Sequence, residues 1–315
     1  MATTDHEARL LRLATLASVA VALVLVLIKA LAWWSTDAVS VLASLVDSMM
    51  DGGASLINLL AVRYALVPAD RAHRFGHGKA EALAGLGQSL FILLSGLFLI
   101  KEAVGRFLAP EVPQQVPTGV AVMVFSIAAT LGLVMLQRWV IKQTHSTAIS
   151  ADSLHYKMDV LSNAAVLVVL ALAGFGGGLE WLDPLLALLI AGYTLLSVRT
   201  ILQASLDELL DRELPQETRE AILATVRAHP KVCGAHDLRT RRSGRTEFIE
   251  LHLELPDEMP LHQAHMICDE IEARLLAEWP TADIVIHQDP ISVAEHVRDE
   301  AIAFREHQEV VQAES

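Results

Sequence analysis

The sequence predicts an α-helical membrane domain of six transmembrane helices, followed by a small α+β domain of order α-β-β-α-β. Three observations carry that prediction. Six apolar runs near spanning length occupy the first 206 of 315 residues, in a chain that is 53% hydrophobic and 19% charged. A soluble domain averages about 25% charged residues. The charge is also divided unevenly. Residues 1–206 hold 13 acidic and 13 basic residues, while 207–315 hold 24 acidic and 11 basic, so the whole net charge of −13 lies in the last third. After Leu206 the long apolar runs give way to helix-period and strand-period patterns.

The elements follow in order. A transmembrane helix needs roughly 20 apolar residues. The first run is Leu13–Trp34, interrupted only by Lys29. The second, Ala38–Val62, contains Asp47 and Asp51. The third and fourth, Ala82–Ile100 and Val116–Leu136, carry no charge. The fifth, Thr147–Gly174, packs its charges and a histidine into its first half, and the sixth, Leu182–Leu202, has a short uncharged core. Pro215–His229 reads as an amphipathic helix, and Val232–Thr240 and Thr246–Leu255 as strands around a turn at Ser243-Gly244. In the second strand Ile249, Leu251, Leu253 and Leu255 alternate with Phe248, Glu250, His252 and Glu254. Met259–Trp279 reads as a helix and Asp283–His287 as a third strand, which together predict an antiparallel or mixed sheet with helices on one face. The expected divisions are an N-terminal segment 1–9, a transport domain 10–206, a soluble domain 207–292 and a polar acidic tail 293–315, frayed or disordered.

Six spans place both termini on one side. Arg9 and Arg12, the link with Arg63, Arg71, Arg74 and Lys79, and the link with Arg138 and Lys142 all fall on that side, and the remaining links are poor in basic residues. The positive-inside rule makes it the cytoplasm. The acidic domain is no partner for nucleic acid. Cys233 and Cys268 are far apart and form no C-x-x-C pair. No Gly-rich phosphate loop points to ATP, no H-E-x-x-H points to a metalloprotease, and no organic cofactor is indicated.

Ionisable residues within spans are costly and mark functional sites. Asp47-x-x-x-Asp51 in the second span and His155-x-x-x-Asp159 in the fifth each place two such groups on one helix face. Converging, they offer three carboxylates and an imidazole, ordinary ligands for a tetrahedral zinc ion. Two carboxylates one turn apart repel unless a cation or protons neutralise them, which argues against a purely structural role. An aspartyl dyad needs only one aspartate per helix. Asp152 and Lys157 are placed nearer the cytoplasmic or lateral surface of the fifth helix. In the link, Asp70, His73 and His77 form a D-x-x-H-x-x-x-H pattern, equally readable as polar residues of a surface loop.

These residues resemble the cation diffusion facilitator family. Ser44-Leu45-Val46-Asp47-Ser48-x-x-Asp51 with His155/Asp159, Arg74-Phe75-Gly76-His77-Gly78-Lys79-x-Glu81, Gly234–Thr240 and Ile286–Pro290 match its motifs in order, over roughly residues 10–292. The resemblance is to the family's bacterial cation-efflux pumps. It implies a ferredoxin-like cytoplasmic domain, a homodimer formed through it, and a multi-pass protein of the bacterial inner membrane that exchanges divalent transition metals for protons. By position, Asp47, Asp51, His155 and Asp159 become the transport ligands, and Asp70, His73 and His77 a second site. His236, His252, His265, His287 and Asp289 become cytoplasmic metal sites, with His262 and Cys268 as bystanders. Lys79 is expected to pair with Asp207 or Asp211. Imidazole favours Zn²⁺, with Cd²⁺ and Fe²⁺ as companions. The alternative function is a membrane-anchored metal sensor that transports nothing.

Overall fold

The computed structural model describes residues 2–36, 39–108, 117–173 and 181–293. The acidic tail expected after Ser292 lies beyond them, apart from Val293. The chain divides into two compact units, one ending at Leu209 and the other beginning at Leu210.

The first unit contains six long helices: α1 (Ala2–Thr36), α2 (Val39–Ala65), α3 (Lys79–Leu108), α4 (Pro117–Thr144), α5 (Thr147–Ala173) and α6 (Leu182–Leu209). Five of them, α1 to α4 and α6, carry stretches long and apolar enough to cross a membrane. Only 17% to 33% of each such stretch is buried within the protein, so most of its apolar surface faces outward. Leu27, Leu31, Met135 and Leu196 belong to that outer surface. α5 is not among the five. It carries Asp152, Lys157 and Asp159, and Ala151–Tyr156 are all buried. The charges of α5 thus sit beside a stretch enclosed by its neighbours.

Small residues bring the helices together where no hydrophobic force draws them out of lipid. A Cβ on Gly85 of α3 would lie 2.8 Å from Ser205 Oγ of α6 and 3.4 Å from the Thr147 backbone of α5. One on Gly96 would meet the Leu195 side chain at 3.4 Å. Leu11, Val62, Val140 and Ile149 join α1, α2, α4 and α5 at one packed cluster. Ile92, Leu154, Met158 and Val198 join α3, α5 and α6 at another.

The second unit contains α7 (Gln216–Arg227), β1 (Gly234–Ser243), β2 (Thr246–Leu255), α8 (Leu261–Glu278) and β3 (Asp283–Pro290). The sheet order is β1-β2-β3, with β1 antiparallel and β3 parallel to β2, so the sheet is mixed. Gly244 takes a φ of 59° in the two-residue link between Ser243 and Thr246, a conformation open to glycine. The alternation in β2 places Ile249, Leu251 and Leu253 in a core with Ile222 and Val226 of α7 and Ile267, Ile271 and Leu275 of α8. The polar side chains of β2 lie on the other face. β3 runs three residues past the expected His287, so Asp289 is part of the ladder.

Candidate metal centres

The first centre forms where α2 meets α5. His155 Nε2 donates to Asp51 Oδ1 at 2.9 Å and lies 3.8 Å from Asp159 Oδ2. Ligand atoms of Asp51, His155 and Asp159 all lie within 4.8 Å of one another. In a tetrahedral zinc shell with bonds near 2.0–2.1 Å, ligand atoms stand roughly 3.4 Å apart, so the trio fits an ion with small shifts. Asp47 is outside that trio, but it lines the same cavity of about 510 Å³ with Lys29, Asp51 and Asp159. Hydroxyl and amide side chains of Ser95, Ser126, Thr130 and Asn163 complete a polar wall suited to a partly hydrated ion.

Asp152 overturns its placement near a surface. It is 1% exposed. Its Oδ2 accepts from Ser18 Oγ at 2.6 Å and Gln137 Nε2 at 2.7 Å, and its Oδ1 from Gln88 Nε2 at 3.2 Å and Ser55 Oγ at 3.4 Å. Those donors come from α1, α4, α3 and α2, so one carboxyl of α5 ties five helices together. Beside it, Ser55 Oγ and Tyr156 Oη are 2.8 Å apart. A buried acceptor with four donors escapes the cost of an unpaired polar group, which is why it tolerates the interior. The sequence signal was available in Ser18, Ser55 and Gln88, each polar within an apolar run, and in Gln137 just past the fourth run. Lys157 Nζ donates to the Tyr193 hydroxyl of α6 and lies 4.5 Å from that ring's centre.

The link between α2 and α3 gathers the second trio, Asp70, His73 and His77. Asp70 Oδ1 accepts from the backbone N–H of His73 at 2.7 Å and of Ala72 at 2.8 Å. The His73 amide, more than the Ala72 amide and the neighbouring imidazoles, holds this carboxyl below the usual carboxylate range. With a lowered folded value, its support of the loop is present above the ordinary range and is lost only as pH falls through the lowered value. His77 Nδ1 donates to the Val67 carbonyl at 3.2 Å, and its Nε2 stands 3.5 Å from Asp70 Oδ2. The His73 and His77 rings are 4.6 Å apart. Gly76, at φ 79°, turns the loop between them and α3.

The third centre lies on the open face of the small sheet. Strand register aligns His236, His252 and His287 in one row across β1, β2 and β3. His236, His252 and Asp289 bring ligand atoms within 4.8 Å of one another. His252 Nδ1 is 2.8 Å from Asp289 Oδ2. His287 Nε2 is 3.2 Å from Asp289 Oδ1, and its ring centre is 4.6 Å from that of His252. Two residues were absent from the sequence reading of this centre. Glu254 Oε1 accepts from His236 Nδ1 at 2.9 Å and so turns Nε2 toward the row. Gly234, its partner across the ladder, leaves room, since a Cβ there would lie 2.4 Å from Glu254 Oε2. Asp237 sits at a break in the β1–β2 register with φ 47°, is gripped by Arg239, and brings Oδ2 to 3.7 Å from His252 Nε2. The bulge aims a carboxylate that regular pairing would point away.

The structure does not bring His265 to this row. It is exposed on α8 and faces Asp269 at 3.7 Å. Cys268 is buried on the core side of α8, where burial pushes its thiol up. Lys79 Nζ donates to the Leu209 carbonyl at 3.3 Å, two residues past Asp207. Asp211 lies 3.5 Å from Arg241 within the second unit.

Comparison with known proteins decides the family. The profile of the cation efflux transmembrane domain matches residues 15–210, and that of the cation efflux protein cytoplasmic domain matches 214–291. The chain belongs to the cation diffusion facilitator family. It is therefore a transporter and not an enzyme. It is 52% identical over 287 residues to the cation-efflux pump FieF of Pectobacterium carotovorum subsp. carotovorum strain PC1, covering 91% of this chain and 95% of that one. It is 50% identical over 291 residues to FieF of Cronobacter sakazakii strain ATCC BAA-894, covering 92% and 96%. The metal-bound C-terminal domain of the CzcD transporter from Thermotoga maritima is 27% identical, covers 26% of this chain and 100% of that one, and gives a TM-score of 0.24. As a cation-efflux transporter, this facilitator has apolar helices long enough to span a membrane and a small αββαβ unit of the family's cytoplasmic type.

Proposed function

We propose that this chain is a proton-coupled antiporter that exports divalent transition-metal cations, Zn²⁺ foremost with Cd²⁺ and Fe²⁺, by alternating access. In this reading all six long helices span the bacterial inner membrane, both termini are cytoplasmic, and two chains pair through their cytoplasmic domains. The observation that carries it is the convergence of Asp51, His155 and Asp159, with Asp51 and Asp159 on the wall of a cavity between apolar helices. Such groups are expensive at that depth unless they handle a cation.

The same geometry suggests the coupling. His155 Nε2 and Asp51 Oδ1 stand 2.9 Å apart, and a metal bound by both atoms would take the place of a proton shared between them. Metal and proton therefore compete for one place. Facing the cytoplasm, the site gives up protons for a cation; facing outward, protons displace the cation. Its position between helices suits a site that opens to one side at a time. The link trio and the His236/His252/Asp289 row, with His287 beside it, are further metal sites. His265 adds a ligand from α8 only if a partner chain or a rearrangement supplies the rest of its shell.

The test is metal flux in proteoliposomes with Zn²⁺, Cd²⁺, Fe²⁺ and Mn²⁺ under an imposed pH gradient. Wild type should transport and respond to the gradient, and Asp51→Ala should be inactive yet folded. Flux indifferent to the gradient refutes the proton coupling. No flux with intact binding at the cytoplasmic row would identify a membrane-anchored metal sensor instead.

A further inference from the structure

A cation pathway is an unfavourable place for a fixed positive charge, yet this one contains a lysine. Lys29 of α1 is 8% exposed and lines the cavity that also receives Asp47, Asp51 and Asp159. Its ammonium is held in place: Nζ donates to Ser48 Oγ at 2.6 Å and to the Ser44 carbonyl at 3.1 Å, both on α2. Ser44 and Ser48 flank Asp47 on the same turn of helix.

The charges give this arrangement a purpose. Metal binding requires deprotonated carboxylates and a neutral imidazole. Asp47, Asp51 and Asp159 then contribute three negative charges and His155 none. A cavity at minus three would hold a divalent ion too firmly to release it, or would retain a second cation beside it. A pore must bind strongly enough to load and weakly enough to unload. The tethered ammonium brings the balance to minus two, the charge that one divalent ion neutralises. We infer that Lys29 is a built-in counter-cation that matches the transport cavity to a single divalent ion and keeps that ion releasable. It touches neither the metal nor its ligands, and acts on affinity through the field.

The inference rests on the intramembrane transport site proposed above, and its test separates the two. Zn²⁺ binding is measured by isothermal titration on the full chain in detergent, with His73→Ala and His252→Ala silencing the other centres. Turnover is measured in proteoliposomes. Lys29→Met keeps the length of the side chain and removes its charge. It should tighten Zn²⁺ binding at the intramembrane site roughly tenfold or more, since one charge acts on a divalent ion at low dielectric. It should also lower maximal flux together with the apparent Km. Lys29→Arg keeps the charge and should stay near wild type in affinity. Unchanged or weaker binding in a folded Lys29→Met variant overturns the inference. If Lys29→Met does not fold, Lys29→Arg and Lys29→Gln decide it: equal affinities overturn the inference, and tighter binding in Lys29→Gln supports it. If the background protein shows no Zn²⁺ binding that Asp51→Ala abolishes, the transport-site reading fails first.

Discussion

At the scale of single residues, His155 and Asp152 lie one turn apart on α5 and do opposite work. His155 sits between Asp51 and Asp159 and is the only nitrogen donor in that trio. Imidazole favours zinc, whereas an all-oxygen site suits manganese. His155→Asp should therefore raise Mn²⁺ transport relative to Zn²⁺ in competition flux assays, and an unchanged ratio would refute that role. Asp152 faces the helix bundle and accepts from Ser18, Ser55, Gln88 and Gln137. Removing it leaves buried donors without an acceptor, at a cost of about 1–3 kcal/mol for each group so stranded. Asp152→Ala should lower the thermal midpoint in detergent far more than Asp159→Ala does, because Asp159 lines a cavity where water can replace it. The two aspartates look alike in sequence, and their partners separate them.

At the scale of elements, α3 and α6 pack closely because α3 presents glycine. Gly85 admits Ser205 and the Thr147 backbone, and Gly96 admits Thr194 and Leu195. Gly85→Val should cost about 1–3 kcal/mol by overpacking, and thermal unfolding should show it. Gly87→Val is the control, since nothing lies within 4 Å of a Cβ there. In the small sheet the equivalent device is register. His236, His252 and His287 are separated in sequence but opposite one another in the ladder. Period-two alternation placed His252 on the polar face from sequence alone. The register break at Asp237 was not legible, because a bulge leaves no periodic signal.

At the scale of the whole molecule, three separate groups of ligands predict a stability that depends on metal. A ligand that binds only the folded state adds about 2.7 kcal/mol at a hundred times its dissociation constant. Zn²⁺ should raise the thermal midpoint of the full chain, and a chelator should reverse the rise. His252→Ala should remove the part contributed by the sheet row while leaving Asp51-dependent flux measurable. Loss of flux in that variant would make the sheet centre part of the transport cycle. The net −13 adds a reason to expect metal in the acidic unit, since bound cations offset its self-repulsion.

The sequence by itself determined the division into a charge-neutral apolar part and an acidic soluble part, the six long helices, and the αββαβ order. It also determined that Asp47/Asp51 and His155/Asp159 each share a helix face. All of these follow from composition and from the periods 3.6 and 2, which are local properties. Only the tertiary structure decided that Asp51, His155 and Asp159 form the tight trio while Asp47 stands back, that Asp152 is a buried hub, and that Lys29 opens onto the same cavity as Asp47, Asp51 and Asp159. Those outcomes depend on which helix faces meet, and side chains distant in sequence set that through packing and paired hydrogen bonds.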